Sequence, residues 1–501
     1  MRPALFGLVV ACILALIFGS VGMLFYTALN GYFERSALDS LFWSEVWIIF
    51  YTSVFQAFLS AAISVIVGFL CARALFYARF PFKSLLLALC GISFVMPSLI
   101  IALSIILVFN GINIYGLFGI LLAHVFLNAP FCLRIFYQNL QGISNNERNL
   151  AQSLGIINFS FIKIVELKRL KLDILRCFGI VFMLCFSSFG IVLLLGGGIG
   201  FSTFEVAIYQ NIFYLELEKA SILSLLQIGF YVILGLLLSK STASFSFDFK
   251  DSKYHTYQSA PVVIYQYVLL FAFLIFLLLP FLFIFIKGLF GLLGNLSFLL
   301  DPDFLRALFY SIVIATFSSF FAILASFIIL LHTRVARFYK GIFANVDNVI
   351  SAIILGVSPL TLGFGLFLWL RDLGDYKLLA VSLINALFAL PFCLKTLQTP
   401  LQNCMNAHYL CQSLGLSGSR RFLLIEFSAI KTPLLYALGL CFCLSLGDFS
   451  AMALFGDSDF SSLTLLLYQK LGNYKNNDAN VLSLILMLLT MSIFMLTRRG
   501  K

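Results

Sequence analysis

Residues 262–286 read VVIYQYVLLFAFLIFLLLPFLFIFI, a run with no charged side chain. A helix rises 1.5 Å per residue, so a run this long crosses the roughly 30 Å hydrocarbon layer of a bilayer. Runs of the same kind recur near 4–28, 47–71, 84–109, 116–136, 174–196, 220–239, 305–331, 349–370, 377–394, 434–455 and 480–497. The chain of 501 residues is 62% hydrophobic and 11% charged, with a mean hydropathy of +1.06. No soluble fold has interior enough for that much apolar side chain, so the solvent is lipid. In lipid the backbone must satisfy its own polar groups, by helices or a closed barrel. The runs are continuous rather than alternating, which selects helices. The expected fold is an all-α polytopic membrane protein with about 12 transmembrane helices, arranged as two repeated six-helix halves.

The opening residues, MRPALFGLVVACILALIFGSVGMLF, start like a signal peptide. Their apolar stretch is too long for one and lacks a cleavage site, so they are expected to remain as the first helix. The eleven cysteines fall almost entirely in apolar runs, without a CxxC or a Cys/His cluster, and read as small buried hydrophobes rather than metal ligands. A net charge of +11 in a soluble protein would point to nucleic acid. Here it points to Lys/Arg loops facing an anionic lipid leaflet, and no nucleic-acid partner is expected. With both termini cytoplasmic, the inner side collects 24 of the 32 Lys and Arg residues. The implied location is a bacterial inner membrane.

The chain repeats itself. Val95-Met-Pro97 matches Val357-Ser-Pro359, Pro130-Phe-Cys-Leu133 matches Pro391-Phe-Cys-Leu394, Gly155 matches Gly415, and Tyr209-Gln210 matches Tyr468-Gln469. The offsets drift only from 262 to 259. The polar, Ser-rich stretch 241–260 divides a first domain, 1–240, from a second, 261–501. Two parallel halves place a pathway between them.

Each half carries one polar island on the expected cytoplasmic side. Residues 145–171 read NNERNLAQSLGIINFSFIKIVELKRLK, and 406–431 read NAHYLCQSLGLSGSRRFLLIEFSAIK. In the first, a short helix ends at Gly155, a position suited to a left-handed residue, and Asn158 caps a second helix. In the second, Gly415 and Ser417 play those parts. Each island thus forms a helical elbow with apolar knobs, suited to a groove in a cytoplasmic partner. A helix lying in the lipid headgroups is the structural alternative.

The spacing resembles the cytoplasmic loop of ATP-binding-cassette importer permeases, in which an acidic start, a glycine and an Ile-x-Leu-Pro end recur at fixed intervals. The matching positions are Asn149, Leu150, Ala151, Gly155, Val165 and Leu167, then Tyr409, Leu410, Cys411, Gly415, Ile425 and Phe427. The leading Glu and closing Pro are absent from both copies. The resemblance implies two copies of a cytoplasmic ATPase subunit as partners, one for each loop, and an extracytoplasmic substrate-binding protein. It implies that ATP is hydrolysed by the partner, with no cofactor held by this chain. Further stretches, including Phe55-Gln-Ala-Phe-Leu-Ser60, Gly119-Ile-Leu-Leu-Ala-His-Val-Phe126 and Leu444-Ser-Leu-Gly-Asp-Phe449, are similar to the thiamine branch of that family. Thiamine or its phosphates are therefore the implied cargo, with ferric iron, carried by the neighbouring branch, as the alternative.

Candidate pathway residues are His124 and its repeat mate Asn385, polar groups inside expected spans. Asp448 offers a negative charge to a cation, and Tyr209 and Tyr468 offer ring faces. For each, a structural role competes: bonding backbone freed by nearby prolines, pairing a neighbouring charge, or sitting in an interfacial aromatic belt. The chain has no Gly-x-x-x-x-Gly-Lys-Ser/Thr loop, so it is not expected to hydrolyse ATP itself. An ion-coupled secondary transporter fits less well, because few charges lie in the spans. A membrane enzyme lacks its constellation, since His124, His255, His332 and His408 are scattered.

Overall fold

The computed structural model describes residues 3–33, 40–109, 112–156, 158–196, 201–238, 260–370, 376–416 and 418–498. They are predominantly helical, with no strand among them. The first half contains α1 (Pro3–Phe33), α2 (Ser40–Tyr77), α3 (Lys83–Val95), α4 (Ser98–Val108), α5 (Leu117–Gln141), α6 (Asn145–Ser153), α7 (Asn158–Phe161), α8 (Leu167–Phe186), α9 (Gly190–Leu195), α10 (Phe204–Phe213) and α11 (Leu217–Leu238). The second half repeats the order as α12 (Ala260–Gly294), α13 (Pro302–Phe338), α14 (Val346–Leu355), α15 (Pro359–Leu370), α16 (Lys377–Asn403), α17 (His408–Ser413), α18 (Gly418–Arg421), α19 (Phe427–Leu446), α20 (Ser450–Phe455), α21 (Leu463–Gly472) and α22 (Asn476–Arg498). Of the expected linker, residues 241–259 lie outside the described residues.

Among the described residues nine helical stretches are long and apolar enough to cross a membrane, or eleven if each of two bent pairs counts as one span. The chain is an all-α polytopic membrane protein. The expected straight spans at 84–109 and 349–370 are the bent pairs. α3 and α4 meet at 116°, and α14, with the turn before it, meets α15 at 84°. The cause lies in the repeated prolines. A residue before proline is driven out of helical geometry, and Met96 sits at φ −68°, ψ 138° ahead of Pro97. The expected span at 174–196 is also interrupted. α8 stops at Phe186, residues 187–189 break the helix, and α9 follows; α19 and α20 repeat the break at 447–449. The first turns of α8 carry Lys168, Arg169, Lys171, Asp173 and Arg176, so its apolar part is short.

Within each half the second helix is the packing centre: α2 lies against α5 and α8, and α13 against α16 and α19. The α2–α5 contact is close enough that a Cβ on Gly68 would stand 2.5 Å from Cys132 Cβ. The first helices cross over. α1 packs on α15 and α13 of the second half as well as on α11, and α12 reaches α4 and α2 of the first. At the α1–α15 crossing, a Cβ on Gly365 would lie 2.6 Å from the Ser20 carbonyl oxygen. Large apolar side chains on the outer surface of α12, such as Ile264, Val268, Ile275 and Phe290, stay exposed and face lipid.

Candidate functional site

The two polar islands fold into near copies. Ser144 caps α6, its hydroxyl accepting the Glu147 N–H at 3.2 Å. Gly155 and Gly415 both take φ +69°, the left-handed region that glycine occupies at no steric cost. Each turn closes by a matched pair of backbone bonds: Ile156 N–H to Ala151 and Leu416 N–H to Cys411, both 2.9 Å, and Gly155 N–H to Gln152 and Gly415 N–H to Gln412, both 3.0 Å. A second short helix follows, then a π-helical turn, Ile162–Glu166 or Phe422–Glu426, which runs into α8 or α19. Ser417, the expected second cap, lies outside the described residues.

Burial sorts the motif positions alike in both elbows up to the last pair. Ala151 and Cys411 are buried, while Asn149, Leu150, Tyr409 and Leu410 are exposed. Val165, Leu167 and Ile425 are half-buried, and Phe427 is exposed. Leu150, Leu154, Phe159 and Ile164 project from one elbow, and Tyr409, Leu410, Leu414, Leu423 and Leu424 from the other. Isolated exposed leucines are ordinary on a protein surface; here they recur as two matched sets on one geometry.

The other feature is a cavity of about 310 Å³ between the halves. Phe94, Phe131, Met183, Ser187 and Tyr231 of the first half face Asn385, Phe388, Phe392, Lys395 and Asp448 of the second. Of the expected pathway residues, Asn385 and Asp448 therefore share one chamber. Asn385 also donates to Ser445 Oγ at 3.0 Å. Asp448 sits in the break between α19 and α20, where its carboxylate accepts the N–H groups of Ser450 and Ala451, both at 3.2 Å. His124 is placed differently from its repeat mate. It is buried in α5, with Nδ1 2.9 Å from Ser60 Oγ of α2, and is not among the cavity's lining residues. Lys395 contacts Asn348 Oδ1 at 2.7 Å, at the cavity edge.

Tyr209 and Tyr468 take part in a four-ring column that sequence reasoning missed. Phe189 and Phe449, at the two helix breaks, stack across the halves with centroids 5.2 Å apart and planes 9° apart. Tyr209 packs on Phe189, and Tyr468 on Phe449, each pair at 5.1 Å. α8 is 20 residues long, so the column lies about 30 Å along the chain axis from the elbow. Ser187 and Asp448, which line the cavity, stand one or two residues from Phe189 and Phe449, so the column adjoins the chamber at its end remote from the elbows. The matching offset of Phe189 and Phe449 was the available signal. Beside the chamber a buried polar chain also joins the halves: Gln227 donates to Glu205 at 2.6 Å, Thr361 to Gln227 at 2.9 Å, and Ser358 to Thr361 at 2.8 Å. On a loop at the same remote end, the Lys377 ammonium beside Asp457 holds that carboxyl below the usual carboxylate range.

Comparison with known proteins agrees with this architecture. Residues 64–245 match the family described as binding-protein-dependent transport system inner membrane component. Over its length the chain is 39% identical to the thiamine transport system permease protein of Haemophilus influenzae, covering 88% of this chain and 86% of that one. It is 35% identical to the Escherichia coli protein of the same description, covering 90% and 88%, and 29% identical to that of Brucella abortus, covering 100% and 95%. Together with the paired halves and their elbows, these likenesses make the chain a multi-pass inner-membrane component belonging to the permeases of binding-protein-dependent, ATP-binding-cassette importers.

Proposed function

We propose that the chain forms the translocation path for thiamine, or its phosphates, into the cytoplasm, and that its two elbows couple the path to two copies of an ATPase subunit. The observation that carries this reading is the pair of matched elbows, each with a left-handed glycine and exposed apolar side chains, at the root of helices that wall a shared chamber. A closing motion applied to both elbows from the cytoplasm moves α8 and α19, and with them the cavity wall. Cargo delivered by a binding protein enters past the aromatic column. The chamber's phenyl rings and the Asp448 carboxylate suit an organic cation with an aromatic ring. The names of the relatives supply thiamine as the particular cation.

Co-expression with the ATPase tests the coupling. Changing Gly155 and Gly415 together to Val forces a β-branched side chain into φ +69° twice, at roughly 1–2 kcal/mol each. The elbows are then expected to refold locally, and ATPase co-purification to fall by at least about tenfold while the permease still inserts. Retention of the ATPase by the double variant would refute the docking role. Uptake of labelled thiamine into proteoliposomes is expected only with ATPase, binding protein and ATP all present, and an excess of ferric iron is not expected to compete. Uptake by the permease alone would overturn the whole reading.

A further inference from the structure

Behind the exposed surface of each elbow lies a buried carboxylate. Glu166 is fully buried and Glu426 is 2% exposed, and each is the last residue of its π-helical turn. Glu166 receives Arg73 Nε at 2.9 Å and the Tyr77 hydroxyl at 2.7 Å, both from the end of α2. Tyr77 in turn accepts from Arg148 Nη1 at 2.7 Å, and Arg148, itself 1% exposed, donates to the carbonyls of Leu140 and Ile143 at 2.6 and 3.3 Å. In the second half Glu426 pairs with Arg334 of α13 at 2.9 Å and with Arg421 at 3.0 Å.

The second cation of each cluster comes from a different place in the chain. Arg148 belongs to α6, before the turn glycine, and its repeat mate is His408. Arg421 belongs to α18, after the turn glycine, and its repeat mate is Phe161. Arg421 nevertheless reaches the corresponding end of the preceding helix, donating to the Cys404 carbonyl at 3.3 Å. Glu166 and Glu426, and Arg73 and Arg334, correspond one to one by the repeat, whereas the second arginine is supplied by either arm of the elbow. A second buried arginine joined to the glutamate, through Tyr77 in the first half and directly in the second, yet supplied from different positions, argues for the charge network itself rather than for filling of space.

We propose that Glu166 and Glu426 are positioning residues of the coupling machinery, each fastening its elbow to the second helix of its own half. By chain continuity alone an elbow moves with the helices on either side of it, α5 and α8 or α16 and α19, and has no tie to the second helix of its half. With the glutamates its displacement also reaches α2 or α13, which pack on α5 and α16, the helices that supply Phe131, Asn385 and Phe392 to the chamber. The ion pairs suit this task because a buried carboxylate gives up its cation reluctantly. The π-helical turn widens the helix by one residue, which turns the glutamate toward the core while Ile164 and Leu424 face outward.

This inference rests on the elbows being the ATPase-coupling loops. Its test uses the assembled permease–ATPase complex in nanodiscs, with the cognate binding protein and thiamine. The double variant Glu166→Gln, Glu426→Gln is expected to co-purify with the ATPase and to keep basal hydrolysis within about twofold, while stimulation by the loaded binding protein falls by at least about tenfold, the scale of a coupling free energy between sites. A charge exchange, Arg73→Glu with Glu166→Arg, is expected to recover about half of the stimulation that Glu166→Arg alone loses. Stimulation unchanged in the Gln variant overturns the proposal. If that variant fails to assemble, the exchange decides: recovery supports the joint, and none overturns it. Failure of the unaltered chain to bind ATPase would instead overturn the coupling reading, and this inference with it.

Discussion

Replacing Asp448 by Asn is expected to lower ATP-driven uptake of thiamine at subsaturating concentration by about ten- to one-hundredfold. The substitution changes charge with little change in shape. Asp448 accepts the N–H groups of Ser450 and Ala451 at the start of α20 with one carboxylate oxygen each, and an asparagine oxygen keeps one of the two, as in an ordinary asparagine helix cap. The helix break therefore survives, as does the ring column beside it. What is lost is a carboxylate on the wall of a chamber lined mostly by apolar and aromatic side chains. A bond between a charged group and its partner is worth about 1.5–3 kcal/mol, which is the stated range in affinity. Uptake by reconstituted complexes measures it, with ATPase co-purification as the control for assembly. An Asn variant that transports within about twofold of the parent would remove Asp448 from the pathway.

The second large effect belongs to the aromatic column. Phe189 and Phe449 are each 3% exposed and touch face to face where the halves meet. Changing both to Ala removes two buried rings, at about 3–5 kcal/mol each, and the stacking between them, at about 0.5–1.5 kcal/mol. The closed column stands at the end of the chamber away from the elbows, so the loss falls on the state in which that end is sealed. Basal ATP hydrolysis without binding protein is expected to rise several-fold. A thiol introduced by Ser187→Cys, at the chamber wall, is expected to react with a membrane-impermeant reagent added from the outer side in the double variant only. Equal labelling in parent and variant would show that the rings do not seal the chamber.

Much of this architecture was legible in the residues themselves. Long uncharged runs impose helices in lipid, and steady offsets between Val95-Met-Pro97 and Val357-Ser-Pro359 impose the repeat. What those runs do not report is where a helix bends. Residues 84–109 read as one apolar span because hydropathy is blind to direction, yet Pro97 turns the chain by 116°. The elbows were visible because glycines and caps act locally. The column was not, because Phe189 and Phe449 are ordinary among 58 phenylalanines, and only the meeting of two distant segments distinguishes them. Asn385 and His124 show the same limit. They hold equivalent positions in the repeat, but Asn385 lines the chamber and donates to Ser445 of α19, whereas His124 is buried against Ser60 of α2. Glu166 and Glu426 carried a signal that went unused: a carboxylate at the same place in both islands, 260 residues apart.

The crossed first helices set an order for biogenesis. α1 emerges from the ribosome long before α15, so its tight seat, Ser20 against Gly365, is not made until the chain has grown by some 340 residues. Closing a loop that long is entropically modest in stability terms but slow in time, because the contact waits on synthesis and on membrane insertion of everything between. Until then the apolar surface of α1 that will meet α15 is in the company of lipid alone. The N-terminal half is thus held incomplete by its own topology, and the finished protein is assembled from its far end backward.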